Sequence, residues 1–183
     1  MRKYALTVLG VFALLAFVAS GAAWANEMHG ERVKVKLGAM PGVKTGASGE
    51  AAFELSKDGK TLHYKLTVKN IDNAMMAHVH AVGDNGTPAS ILAWVYPTNG
   101  TAPSLREGSF SGTLAEGNIA ADKMSGPMKG GSVKELFEKI EYGTAGVAVH
   151  TKQNMSGELW GVHKAEMKGN TEKKTSSGSG SGY

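Results

Sequence analysis

Three histidines carry most of the chemistry this chain could perform. His78 and His80 stand two apart in Ala77-His78-Val79-His80, and His150 ends Val147-Ala148-Val149-His150. Both segments alternate like β-strands, in which residues two apart share a face. His78 and His80 therefore project side by side, and Ala77, Val79 and Ala81 face the other way. In the second segment Ala148 and His150 share one face and Val147 and Val149 the other. Three imidazoles on two strands are the raw material of a metal site if the fold joins them. Otherwise they are hydrogen-bonded or exposed strand histidines, and both readings stay open at this point. Met76 shares the face of His78 and His80 and is the thioether best placed to join them.

The other polar candidates weigh less. His63 lies among Lys65 and Lys69 on a polar strand face and reads as solvated. His29 and His163 sit at the two ends of the domain, and nothing in their spacing ties them to the other three. Glu158 follows the hairpin from His150 and could orient an imidazole; a charged residue on an exposed strand face is the reading preferred here. Met124 and Met128 fall in a Gly-rich loop and, like most of the methionines, read as core filling. The 83–86 segment, Gly-Asp-Asn-Gly, has too few oxygens for a calcium loop and reads as a turn. Hydrolase motifs are absent: there is no Gly-x-Ser-x-Gly, no phosphate-cradling Gly loop and no His-Glu-x-x-His.

The elements that must position these residues are mostly strands. Residues 33–37 alternate strictly, 51–55 form a second strand, and Asp58-Gly59 centres a hairpin turn. Residues 61–69 put Leu62, Tyr64, Leu66 and Val68 on one face. A turn is expected at 70–73, strands at 75–82 and 89–96, a loop at 97–106, a strand at 109–114 and irregular chain over 115–131. Ser132 with Glu135 three residues on reads as a capping box before a helix that buries Val133, Leu136, Phe137 and Ile140. Strands at 144–151 and 157–164 follow. The expected fold is all-β: an antiparallel β-sandwich or flattened Greek-key barrel with one short helix.

The first 25 residues read as a secretory signal: Arg2 and Lys3, an apolar run over 4–19, and Ala23-Trp24-Ala25 as the cleavage site. The expected organisation is a signal at 1–25, one domain at 26–165 and a Ser/Gly-rich flexible tail at 166–183. Removing 25 of the 183 residues leaves 158, and losing Arg2 and Lys3 takes the formal charge from +4 to +2. Near-neutral charge with scattered basic residues argues against a nucleic-acid partner. No membrane span is expected once the signal is cleaved. The chain has no cysteine, which excludes a disulfide framework, a lipoprotein anchor and thiolate metal ligands.

Several segments, taken in order, resemble the CHRD domain, the module named after chordin. They are 45–53 (TGASGEAAF), 62–71 (LHYKLTVKNI), Ala77-His78-Val79-His80, 83–88 (GDNGTP), 109–114 (SFSGTL), Val149-His150-Thr151, Asn154 and 157–161 (GELWG). The resemblance covers about residues 33–163 and implies an immunoglobulin-like or superoxide-dismutase-like β-module of secreted proteins. It assigns no molecular function to the bacterial type, and chordin's growth-factor binding is not carried over. A looser similarity links His78-Val79-His80 and Val149-His150 to the copper strands of copper–zinc superoxide dismutases. The disulfide, the zinc loop and the bridging histidine of that family are missing, so the similarity implies a mononuclear three-histidine site at most.

The leading expectation is an exported periplasmic or extracellular protein that binds a copper-type metal through His78, His80 and His150, with Met76 as a further ligand. Copper is preferred to zinc, and binding to turnover. The alternative is an envelope structural or interaction module with an unidentified protein partner and no metal. Superoxide dismutation ranks third.

Overall fold

A computed structural model of the chain describes residues 30–100 and 102–164. The expected signal at 1–25, His29 and the tail at 166–183 lie outside the described residues. Seven strands and one α-helix follow one another: β1 (Arg32–Ala39), β2 (Ser48–Leu55), β3 (Leu62–Val82), β4 (Pro88–Tyr96), β5 (Arg106–Ile119), α1 (Val133–Glu141), β6 (Ala145–Thr151) and β7 (Leu159–Val162). Every strand pairing among them is antiparallel.

The strands close into a barrel because β3 is long enough to serve twice. Its first part pairs with β2, from Leu62↔Leu55 to Lys69↔Ser48. Its last part pairs with β6, from Ala74↔Thr151 to Ala81↔Ala145. β6 pairs with β7, β7 with β1, and β1 with β2, which completes the circuit. β5 lies along β3 on one side, and β4 pairs with the histidine-bearing end.

The turn expected at 70–73 is not a turn. The chain stays in β3, and Asn70 and Asn73 both take φ of 52°. Asparagine tolerates the left-handed region better than most residues. The register against β5 also shifts between Val68 and Ile71 and between Asp72 and Ala74. These irregularities let one strand change neighbours without a reversal. For the same reason β5 reaches Ile119, so 115–119 is strand rather than irregular chain. The last strand is only four residues, Leu159–Val162.

Alternation places the core as expected. Val35, Leu62, Leu66, Val68, Val79, Val147 and Val149 are all fully buried in one continuous cluster. Fully burying such a side chain contributes about 1.5–3 kcal/mol. Helix α1 adds Val133, Leu136, Phe137 and Ile140 to this cluster. The capping box is not made, since Ser132 makes no side-chain cap bond and Glu135 pairs with Lys139 Nζ at 3.4 Å instead. Met124 and Met128 are buried in the same core, in keeping with a packing role.

Candidate metal centre

Because Ala77 and Val79 fill the barrel interior, β3's alternation forces His78 and His80 onto its outer face. β6 lies alongside in a register that matches Met76 with His150, His78 with Ala148 and His80 with Gly146. Cross-strand partners share a face, so all three histidines and Met76 point the same way. The ring centroids are 5.3 Å apart for His78–His80, 5.0 Å for His78–His150 and 5.6 Å for His80–His150. One nitrogen from each ring lies within 4.8 Å of the other two. No other such group of His, Asp or Glu occurs among the described residues.

This outer face is nonetheless closed to solvent. His78, His80 and His150 are only 2–6% exposed. Trp94, the register partner of His78 on β4, packs edge-on against it at 4.3 Å. From the other side Trp160 reaches toward His80, with 6.4 Å between ring centroids. Its indole Nε1–H donates to the Gly86 carbonyl at 2.9 Å. Met40, Ala148 and Trp160 form a small second apolar cluster there. Two glycines make room for the cover. A Cβ at Gly146 would lie 2.6 Å from Trp160 Cη2, and one at Gly157, whose φ is +127°, would lie 2.4 Å from Met40 Cε.

The hydrogen bonds fix which nitrogens are free. His80 Nδ1–H donates to the Ala89 carbonyl at 2.8 Å, and His150 Nδ1–H donates to the Met155 carbonyl at 3.0 Å. A carbonyl only accepts, so each proton sits on Nδ1 and each Nε2 keeps its lone pair. Metal-binding histidines are oriented by just such a bond from the second nitrogen. His78 Nδ1 lies 3.2 Å from His150 Nε2, which accepts its proton. His78 Nε2 and His80 Nε2 then remain buried without a partner, the only such side-chain atoms found among the described residues. Leaving a polar atom buried and unsatisfied costs about 1–3 kcal/mol. The donor set thus fits a cation that prefers neutral imidazole.

All three rings are held neutral. Burial pushes His78 down to about 3, with help from its neighbours His150 and His80. Burial also lowers His80 and His150, against the opposing pull of their carbonyl partners Ala89 and Met155. A histidine that protonates near 6.5 when unfolded, but only at much lower pH when folded, takes up protons preferentially in the unfolded chain. Stability is therefore complete above about pH 6.5 and declines as the pH falls toward 3, at about 1.4 kcal/mol per pH unit for one such group. Denaturant midpoints of the metal-free protein should fall steadily between pH 6.5 and 4. A flat profile over that range would contradict the neutral, buried triad.

Glu158 is buried rather than exposed on a strand face, and it does not touch an imidazole. Its carboxylate accepts from Thr45 Oγ1 at 2.7 Å, Thr151 Oγ1 at 2.7 Å and Asn154 Nδ2 at 3.0 Å. Burial works to raise its pKa, but those three donors outweigh it and hold the carboxyl below its usual value. Glu158 thereby braces the turn whose Met155 carbonyl orients His150. His63 stands elsewhere, half-exposed, with Nδ1 3.0 Å from Asn118 Oδ1 and Nε2 3.7 Å from Glu116. His163 Nδ1–H donates to the Lys34 carbonyl, away from the triad.

Strand periodicity alone misses Trp94, Trp160 and Met40. Their signal is parity: Trp94 and Trp160 fall on the face that the histidines occupy once the register is known.

The family model described as the CHRD domain matches residues 19–162, which include all seven strands. No curated protein and no solved structure matches the chain.

Proposed function

The chain belongs to the CHRD domain family, and from that premise we propose that it is an exported protein of the periplasm or extracellular space that binds one copper ion through His78, His80 and His150. The observation that carries this reading is the pair of buried, partnerless Nε2 atoms on His78 and His80 beside His150 Nε2. In the metal-free protein His150 Nε2 accepts from His78 Nδ1–H at 3.2 Å, so an ion bound by His150 Nε2 replaces that hydrogen bond.

Imidazole suits Cu(II) and zinc alike, and thioether favours Cu(I). Met76, half-buried and matched with His150, supports copper over zinc. The role is binding or storage. The ligand nitrogens are screened by Trp94 and Trp160, which does not suit rapid exchange of an inner-sphere substrate such as superoxide. Secretion accords with the N-terminal signal motif; among the described residues no helix is long and apolar enough to cross a membrane.

Equilibrium dialysis against micromolar copper and zinc tests the reading. Stoichiometric copper retention in the presence of excess zinc supports it, and a protein left free of both metals overturns it. Met76→Leu should leave Cu(II) retention intact and weaken Cu(I) by about tenfold, about 1.4 kcal/mol. Equal effects on the two oxidation states would remove Met76 from the ligand set.

A further inference from the structure

We propose that the cleft behind Trp94 is a docking port for a small, planar, hydroxylated one-electron reductant of the enediol or hydroquinone class, and that Trp94 carries its electron to the metal. The inference rests on the copper reading above. It begins from a conflict in the geometry. His78 Nε2 and His80 Nε2 are fully buried and His150 is buried beside them, so a reductant cannot reach these nitrogens without opening the site. Yet a cleft of about 560 Å³ lies against the same wall. Tyr64, Trp94, Asp122, Lys123, Ser125 and Lys129 are among its lining residues. Trp94 is the shared element: its indole meets His78 at 4.3 Å between centroids, and it also borders the cleft.

The chemistry of the lining selects the ligand class. The indole of Trp94 suits a flat molecule. Tyr64 is buried and its Oη–H is already committed to the Val95 carbonyl at 2.8 Å, so the phenol supplies no proton. Lys123 and Lys129 outnumber Asp122 and favour a monoanion. Ser125 adds a hydroxyl suited to the ligand's own. The volume lies within the range of small-molecule sites.

The step balances as a single electron transfer. The docked monoanion gives one electron through the indole to Cu(II), which becomes Cu(I). The radical left behind releases its remaining hydroxyl proton to water. No bond to the metal forms or breaks in the reductant.

The test uses full-length mature protein, with copper content measured on each sample before mixing with ascorbate. Loss of the Cu(II) electron paramagnetic resonance signal is followed by rapid freezing over a range of ascorbate concentrations. The wild type should show a rate that saturates. Trp94→Leu should lower the limiting rate by about tenfold, about 1.4 kcal/mol in the barrier, compared at equal copper content per chain. The double variant Lys123→Glu, Lys129→Glu should instead raise the half-saturating concentration severalfold and leave the limiting rate alone. Rates that rise linearly with ascorbate and coincide across all three proteins would overturn the port, since the reductant would then reach copper by another route. Protein that takes up no copper fails at the loading measurement and overturns the metal reading itself.

Discussion

Replacing His80 with Ala should abolish copper retention, raising Kd by at least about a hundredfold. Loss of an outer-shell partner of a ligating histidine alone typically costs 10–100-fold, and here a ligand itself is lost. The metal-free protein should tolerate the change far better. The substitution removes one hydrogen bond, to the Ala89 carbonyl, at a net cost of about 1 kcal/mol. It also removes a buried nitrogen that had no partner, which offsets part of that cost. The two effects separate in thermal unfolding. A ligand at a hundred times its Kd stabilises the native state by about 2.7 kcal/mol, so copper should raise the wild-type melting temperature and leave His80→Ala unmoved. If copper shifts both proteins equally, the metal binds somewhere other than the triad.

Glu158→Ala is expected to be the most destabilising single substitution near the site, at about 3 kcal/mol. The carboxylate accepts three hydrogen bonds at 2.7–3.0 Å. Its removal strands the Thr151 hydroxyl, on a residue that is fully buried. Hydrogen bonds to charged groups contribute about 1.5–3 kcal/mol each, and breaking a buried network leaves its donors unsatisfied. A domain of this size should lose about 10 °C in melting temperature. Copper affinity should drop as well, by about tenfold, because the braced turn supplies the carbonyl that orients His150. Glu158→Gln keeps one acceptor oxygen and should fall between the two. Chemical unfolding reads the stability, and a change below about 0.5 kcal/mol for the alanine variant would show that the network does not brace the turn.

Both predictions depend on neighbours that the sequence does not mark. The pairing of His78 with His80 is written in the two-residue period of their strand, and His150 shows the same alternation. Their meeting is not written there, because register belongs to contacts between strands 72 residues apart. The barrel was legible as alternating apolar faces, and the helix as four apolar residues at helical spacing. The turn expected at 70–73, where the strand in fact continues, has a local cause. Two asparagines around Ile71-Asp72 look like a turn, and only the pairings with β5 and β6 hold that segment in a strand. Glu158 was misread for a related reason. A lone acid before a strand looks solvated until Thr45, from a loop more than a hundred residues away in the chain, is placed against it. The tryptophan cover is likewise a product of register: Trp160 lies beside Ala148, which lies beside His78, which lies beside Trp94.

The central claim is that the three imidazoles hold one metal ion. Elemental mass spectrometry on the protein, produced without a histidine tag and purified without chelator, tests it most directly. The expected result is one copper per chain in the wild type and none in His80→Ala prepared alongside. Wild-type protein that carries no metal, and takes none up when titrated with copper, would contradict the account and leave the triad as a hydrogen-bonded patch on a CHRD barrel.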